Sequence, residues 1–363
     1  MNQRPLESPY IAWAKAHHGV RYNLASSGVP PPPLSALQMS AEDWALTEDH
    51  EDGWMPLRER IADRYGVTAQ HVVLAAGASM ANHLVCALFL EPGDVALVEH
   101  PGYEPLRLLP SYFHADVDSF SRTRDAGYRL DPERIEDRLT KRTRLVILSN
   151  LHNPSGRLAA RSAMKAIGRL AEERNFHVLV DEVYLEWLHD KGERTATLLS
   201  PRFVTTRSLT KAYGLDAARA GWILADPPTA ERLRRLVDLF SVKTAHASER
   251  LALKAFEHIA ELSSAPSKTV TANLGLVKAF VAEQSELSWT PPDAGTVGFV
   301  QLRDVSVDDL VEELKARDTL VAPGRFFGEP DSFRIGFGMN TPVFKEGLAR
   351  LKEALRAAKA KKS

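Results

Sequence analysis

The chain has 363 residues, 44 % hydrophobic and 26 % charged, with a formal net charge of -1. That length exceeds one simple core and predicts a large domain with a smaller companion, and the balanced charge offers no global field for nucleic acid or a membrane surface. Cys86 is the only cysteine, which excludes an intrachain disulfide and a thiolate metal cluster.

The N-terminus, MNQRPLESPY, lacks the charged start and apolar run of a secretory signal. No apolar run is long enough to cross a bilayer, so a cytoplasmic protein is expected. VPPPPL, with Pro30 to Pro33, predicts extended polyproline II. MPLRERIADRYG reads as an amphipathic helix. HVVLAAG (71–77) reads as a short buried strand. ASMANHLVCALFLEPGD follows as a helix closed by Pro-Gly, with Cys86 an inert core residue.

Further strands are predicted at 95–103, in ADVDSF, and at 144–150, 177–184, 203–209 and 220–226, with helices PERIEDRLT and ARSAMKAIGRLAEERN between them. Strands apolar on both faces and spaced by helices predict a mainly parallel sheet flanked by helices, an α/β class. ERLRRLVDLF and the pattern from Ser248 read as helices. GFVQLRD, VDDLVEELKARD, TLVAPG, SFRIGFG and a last helix then predict a smaller α+β domain. The expected division is an N-terminal segment 1–45 that covers the active site and joins the small domain, a large domain 46–245 and a small domain 246–363.

Ligands of an open α/β sheet gather at the carboxyl ends of its strands. Gly77, Ala78 and Ser79 follow the first strand and open a helix, whose free amides suit a phosphate. Ser208 and Arg219 add a hydroxyl and a fixed cation. Tyr103, after a strand and Pro-Gly, can stack on a flat ring. Asp181, at an apolar strand end, needs a partner such as a protonated ring nitrogen. Asn153 and Tyr184 can hydrogen-bond a phenolic oxygen. Lys211 can form an imine with an aldehyde, and desolvation near another cation should lower its pKa. Together these groups describe pyridoxal phosphate.

The motifs Asn153-Pro154-Ser155-Gly156, Asp181-Glu182-Val183-Tyr184 and Ser208-Leu209-Thr210-Lys211, with Arg219 eight residues on, resemble those of fold-type I pyridoxal-phosphate enzymes of the class I/II aminotransferase family. The resemblance runs from Gly53-Trp54-Met55-Pro56-Leu57-Arg58 to Phe333-Arg334-Ile335-Gly336. It implies that Lys211 holds the cofactor as an internal aldimine and, once freed, moves a proton between the substrate α-carbon and the cofactor's C4′. It implies a catalytic role for Asp181 and Tyr184, and Arg334 on the substrate α-carboxylate, with Asn153 and the segment Ala25-Ser26-Ser27-Gly28, Gly28 foremost, nearby. It implies amino-acid and 2-oxo-acid substrates and a homodimer with shared sites. One departure is Glu48, where many relatives carry a tyrosine that reaches the partner's phosphate; His50 is a candidate substitute.

Simpler readings stand beside these. Tyr103 alone is more often a core tyrosine. Asn153 before proline is a common turn residue. Arg334 can instead be a strand residue paired with a surface acid. His17 and His18 are adjacent and so face different ways on a helix, which argues against metal ligation. His152 receives no role, and Lys243 and His246 fit a solvated helix face. RAAKAKKS fits a helix terminus. The rival functions are a lyase with the same cofactor (β-elimination, decarboxylation or cyclisation) and a non-catalytic ligand sensor.

Overall fold

A computed structural model describes residues 4–44 and 53–361 of the chain. Seven strands form its main sheet: β1 (Val72–Ala76), β2 (Val95–His100), β3 (Asp116–Ser121), β4 (Thr143–Ser149), β5 (His177–Asp181), β6 (Phe203–Ser208) and β7 (Ala220–Leu224). Their order across the sheet is β1-β7-β6-β5-β4-β2-β3. β7 alone runs against its neighbours, and every other pairing is parallel. Valine, isoleucine and leucine fill both faces of β4 and β5 because helices cover both.

The helices Ala78–Phe89 and Pro227–Ser241 cover one face through Leu84, Val85, Cys86 and Leu233. Burial pushes the Cys86 thiol up, which keeps it inert. The helix Arg161–Arg174 covers the other face through Ile167, Leu170 and Ala171. A third cluster joins the helices Met55–Tyr65 and His246–Glu257 to Trp222 of β7. Pro56, Pro105, Pro228 and Pro342 sit in the first turns of their helices, where a missing N–H costs nothing.

The second core surrounds a four-stranded antiparallel sheet of β8 (Leu287–Trp289), β9 (Val297–Leu302), β10 (Ala322–Pro323) and β11 (Ser332–Gly336), in the order β10-β11-β9-β8. Helices Ile259–Glu283, Val307–Lys315 and Thr341–Ala360 pack on it. The two cores meet inside the 259–283 helix: Leu262 belongs to the cluster around Trp222, Val270, Val277 and Phe280 to the second core. The N-terminal segment joins the second core through Leu24 and Val29, and Tyr22–Asn23 pairs in parallel with Thr319–Leu320. This attachment carries the segment across the carboxyl edge of the large sheet. No helix among the described residues is long and apolar enough to cross a membrane.

Candidate active site

One cavity of about 470 Å³ lies at that edge. Its floor begins where β1 ends. Gly77 has φ +81 and opens the 78–89 helix. A Cβ on Gly77 would stand 2.4 Å from Arg219 Nη2, so glycine is what admits the guanidinium here. Arg219 itself adopts φ 49, a left-handed conformation rare for a non-glycine residue. Its Nη2 donates to Ala76 O at 3.2 Å and its Nη1 to Asp216 O at 3.2 Å. Ala78, Ser79, Ser208 and Arg219 all line the cavity. The helix amides, a hydroxyl and an exposed cation therefore converge on one spot, which suits a phosphate.

Asp181 closes β5 and is buried. Its Oδ2 accepts from Asn82 Nδ2 at 3.0 Å and its Oδ1 from Val183 N at 3.2 Å. Burial raises its pKa, and those two hydrogen bonds with the nearby Lys211 only partly oppose the rise. Asn82 is aimed in turn by Thr206 Oγ1, which donates to its Oδ1 at 2.6 Å. Tyr103 borders the cavity at the start of the Glu104–Tyr112 helix, and burial pushes its hydroxyl up. Tyr184 Oη is buried and forms no hydrogen bond, although Ser27 lies near enough to bias its ionisation.

Lys211 sits in the short helix Thr210–Tyr213 that follows β6. It is half-buried, and its Nζ donates to Ser27 Oγ at 2.8 Å. Desolvation lowers its pKa and Arg334 pushes the same way, against Tyr10, Asp181 and Asp216. Gly28 also lines the cavity. A Cβ there would meet the Thr210 and Lys211 carbonyls only at 3.6 and 3.7 Å, so the position does not demand glycine by space alone.

Arg334 projects from β11, opposite Phe299 of β9, and has no exposed surface. Its Nη1 donates to Asn153 Oδ1 at 3.0 Å; its Nη2 donates to Tyr10 Oη at 2.6 Å and to Ala25 O at 3.0 Å. Nε is buried without a partner. All of these acceptors are neutral, so the buried charge is solvated but not paired. An incoming carboxylate would complete it. Tyr10 comes from the helix Pro9–Ala16, whose start is fastened to Glu104: Ser8 Oγ and Tyr10 N both donate to Glu104 Oε2, at 2.5 and 2.8 Å. Tyr10 also meets Tyr103 edge to face at 5.8 Å.

The structure thus gathers Ala78, Ser79, Tyr103, Asn153, Asp181, Tyr184, Ser208, Lys211, Arg219 and Gly28 around one cavity. Gly77 lies just beneath it and Arg334 behind Tyr10 and Asn153. Sequence reasoning missed Asn82 and Tyr10, and had Ser27 only as part of the 25–28 segment expected near the substrate carboxylate. His152 is buried one layer below, with Nε2 facing Pro101 O and Nδ1 facing Ser155 Oγ, and desolvation holds it neutral. His18 borders the cavity, whereas His17 turns to Trp13 O. His246 is buried against Trp54, away from this cavity, and so is not on a solvated face. Glu48 and His50 lie outside the described residues.

Comparison with known proteins gives a consistent picture. Residues 51–351 match the family described as Aminotransferase class I and II. The chain is 30 % identical to a capreomycidine synthase of Streptomyces vinaceus, over 82 % of this chain and 78 % of that one. It is 27 % identical to an arginine–pyruvate transaminase of Pseudomonas aeruginosa, over 94 % and 92 %. Among solved structures, a PLP-dependent aminotransferase from Streptococcus suis superposes with a TM-score of 0.89 at 22 % identity, covering 98 % of this chain and 99 % of that one.

Proposed function

The chain belongs to the class I and II aminotransferase family and is a transferase that works with pyridoxal phosphate, and from that premise we propose that it moves an amino group between an L-amino acid and a 2-oxo acid with Lys211 as the reacting amine. The observation that carries the proposal is the convergence of the Lys211 amine, the Asp181 carboxylate and the Arg219 guanidinium, from three separate elements, on one cavity.

The donor set fits the cofactor. Gly77 leaves room for a cation over a helix start, Tyr184 holds an unused buried hydroxyl, and Asp181 is a buried carboxylate with only neutral partners. Pyridoxal phosphate supplies an aldehyde that condenses with amines and a conjugated ring that accepts the electron pair of a bond at the α-carbon. In this proposal the amides of Ala78 and Ser79, Ser208 and Arg219 hold the phosphate, and Tyr103 stacks on the ring. Asp181 accepts the ring N–H and keeps that proton in place. Tyr184 and the amide of Asn153 serve the phenolic oxygen; Asn153 Oδ1 already serves Arg334. Arg334 holds the α-carboxylate. The desolvated Lys211 amine takes the α-proton and delivers it at C4′.

The test is an absorbance titration of the holoenzyme with single L-amino acids and no oxo acid. Loss of the cofactor's bound-aldehyde band, with one 2-oxo acid formed per site, supports the proposal. The likeness to a relative named a synthase and not a transaminase favours one second reading, a lyase (β-elimination, decarboxylation or cyclisation) that uses the same cofactor. Turnover without an acceptor and with the band restored would select it. Retention of the band chemistry in Lys211→Ala would refute Lys211 as the reacting amine.

A homodimer with shared sites is part of the proposal. Leu239, Phe240 and Val242, exposed together at the end of the 227–241 helix, support it, and the solution mass tests it. A cytoplasmic location is proposed with it, in keeping with the single free thiol of Cys86.

A further inference from the structure

We propose that Ser27 is a positioning residue for Lys211: its hydroxyl receives the ε-amine whenever that amine is free and keeps it aimed into the cavity. The inference rests on Lys211 being the reacting amine. Lys211 Nζ donates to Ser27 Oγ at 2.8 Å. Both sides of this contact are fixed. The Ser27 carbonyl accepts from Thr296 Oγ1 at 2.7 Å, and Thr296 is fully buried. The next residue, Gly28, backs onto the Thr210 and Lys211 backbone. The 26–28 segment is therefore keyed to the same short helix that carries the amine.

The chemistry of the contact suits its purpose. A free lysine side chain samples many rotamers, which works against a proton transfer that needs one geometry. A carboxylate partner would fix the chain but would also hold it as ammonium. The nearby Asp181 does not take that role: Nζ donates to Ser27, while the Asp181 oxygens accept from Asn82 Nδ2 and Val183 N. A hydroxyl accepts from the ammonium and donates to the neutral amine. One residue can therefore hold Nζ both before it takes the α-proton, as the neutral amine, and while it carries that proton, as the ammonium. The charged and titratable groups facing Lys211 are Tyr10 from the N-terminal helix, Arg334 from β11, Asp181 from β5 and Asp216 beyond the 210–213 helix. Replacing Ser27 leaves all four in place.

Two measurements on Ser27→Ala and Ser27→Thr test the inference. In the apoenzyme, carbamylation of Lys211 by cyanate, followed by peptide mass spectrometry across pH, reports the amine's ionisation without the cofactor. In the holoenzyme, stopped-flow absorbance follows the half-reaction with α-protonated and α-deuterated amino acid. Ser27→Ala should slow the isotope-sensitive step about tenfold at unchanged KM and move the Lys211 titration down by about one unit, because the ammonium loses its acceptor. Ser27→Thr should restore both. Agreement of Ser27→Ala with wild type within about twofold in both readouts, at the scale of a lost hydrogen bond, overturns the inference. Equal losses of thermal stability in the two variants, with no rescue by threonine, overturn it as well. Lys211→Arg is the separate control: a surviving half-reaction there would remove the Lys211 assignment itself, whatever Ser27 does.

Discussion

Gly221→Ala should weaken the phosphate cradle while sparing the ring site. A Cβ on Gly221 would stand 2.5 Å from Gly77 C, 2.7 Å from Gly77 Cα and 2.9 Å from Ala78 N. All three are backbone atoms, so no side chain can swing aside. Gly221 is held on both flanks, opposite Ala75 of β1 and Ser208 of β6. The 77–78 turn lies beyond the end of the β1 ladder, so it is the part that shifts. Overpacking of this kind costs about 1–3 kcal/mol, and each 1.4 kcal/mol is about a factor of ten in binding. Pyridoxal phosphate should therefore bind the apoenzyme about 5- to 150-fold more weakly, whereas pyridoxal, which has no phosphate, should bind as it does to wild type. Absorbance titration with both ligands reads the difference. Gly275→Ala is the control: its Cβ would meet nothing within 4 Å, and in the 259–283 helix it should stabilise by about 1 kcal/mol. Unchanged affinity for pyridoxal phosphate, or an equal loss for pyridoxal, would refute the reasoning.

Tyr10→Phe removes a neutral acceptor that Arg334 now uses. Its free form should lose about 1–2 kcal/mol of stability, and KM for the amino acid should fall several-fold at constant kcat, since the carboxylate no longer displaces a hydroxyl; a raised KM in steady-state kinetics would contradict this. Asp181 has its pKa raised by burial, so its contribution to apoenzyme stability is present at low pH and lost as pH rises through the raised value. Asp181→Asn should remove that decline in thermal melts taken from the ordinary carboxylate range upward in pH, while slowing the half-reaction by about 100-fold or more. Glu186 is the opposite case. Against the burial that would raise it, Arg207 and Arg64 hold it at about 2, so its contribution is present above the ordinary glutamate value of 4.5 and lost as pH falls toward about 2. Glu186→Gln should cost about 3–5 kcal/mol at pH 7 and much less at pH 3 in urea titrations; a pH-independent cost would count against the ion pair.

The strands were legible because covered strands must be apolar on both faces, and their polar sequels mark one edge of one sheet. Lys211, Asp181 and Arg219 could be assigned that way without knowing the sheet order. The reversed direction of β7 could not, since AGWIL reads the same in either direction. Asn82 left a faint signal, a polar residue within the apolar pattern of ASMANHLVCALF, but only its tertiary partners Thr206 and Asp181 explain it. Tyr10 left none, and Ser27 stood only within a segment that the family resemblance put near the carboxylate. They reach the cavity because the N-terminal segment crosses to pair with Thr319–Leu320 and fastens to Glu104. Those contacts lie far apart along the chain and follow no local periodicity.

The reversed β7 gives the eight-residue interval between Lys211 and Arg219 a plain meaning. A strand running against its neighbours presents its beginning where they present their ends. The chain that leaves β6 at Ser208 therefore never has to cross the sheet before it supplies the guanidinium; it makes one short loop and arrives beside Gly77. The interval is a length of tether. A deletion between Ala212 and Ala218 would pull on the amine and the cation together.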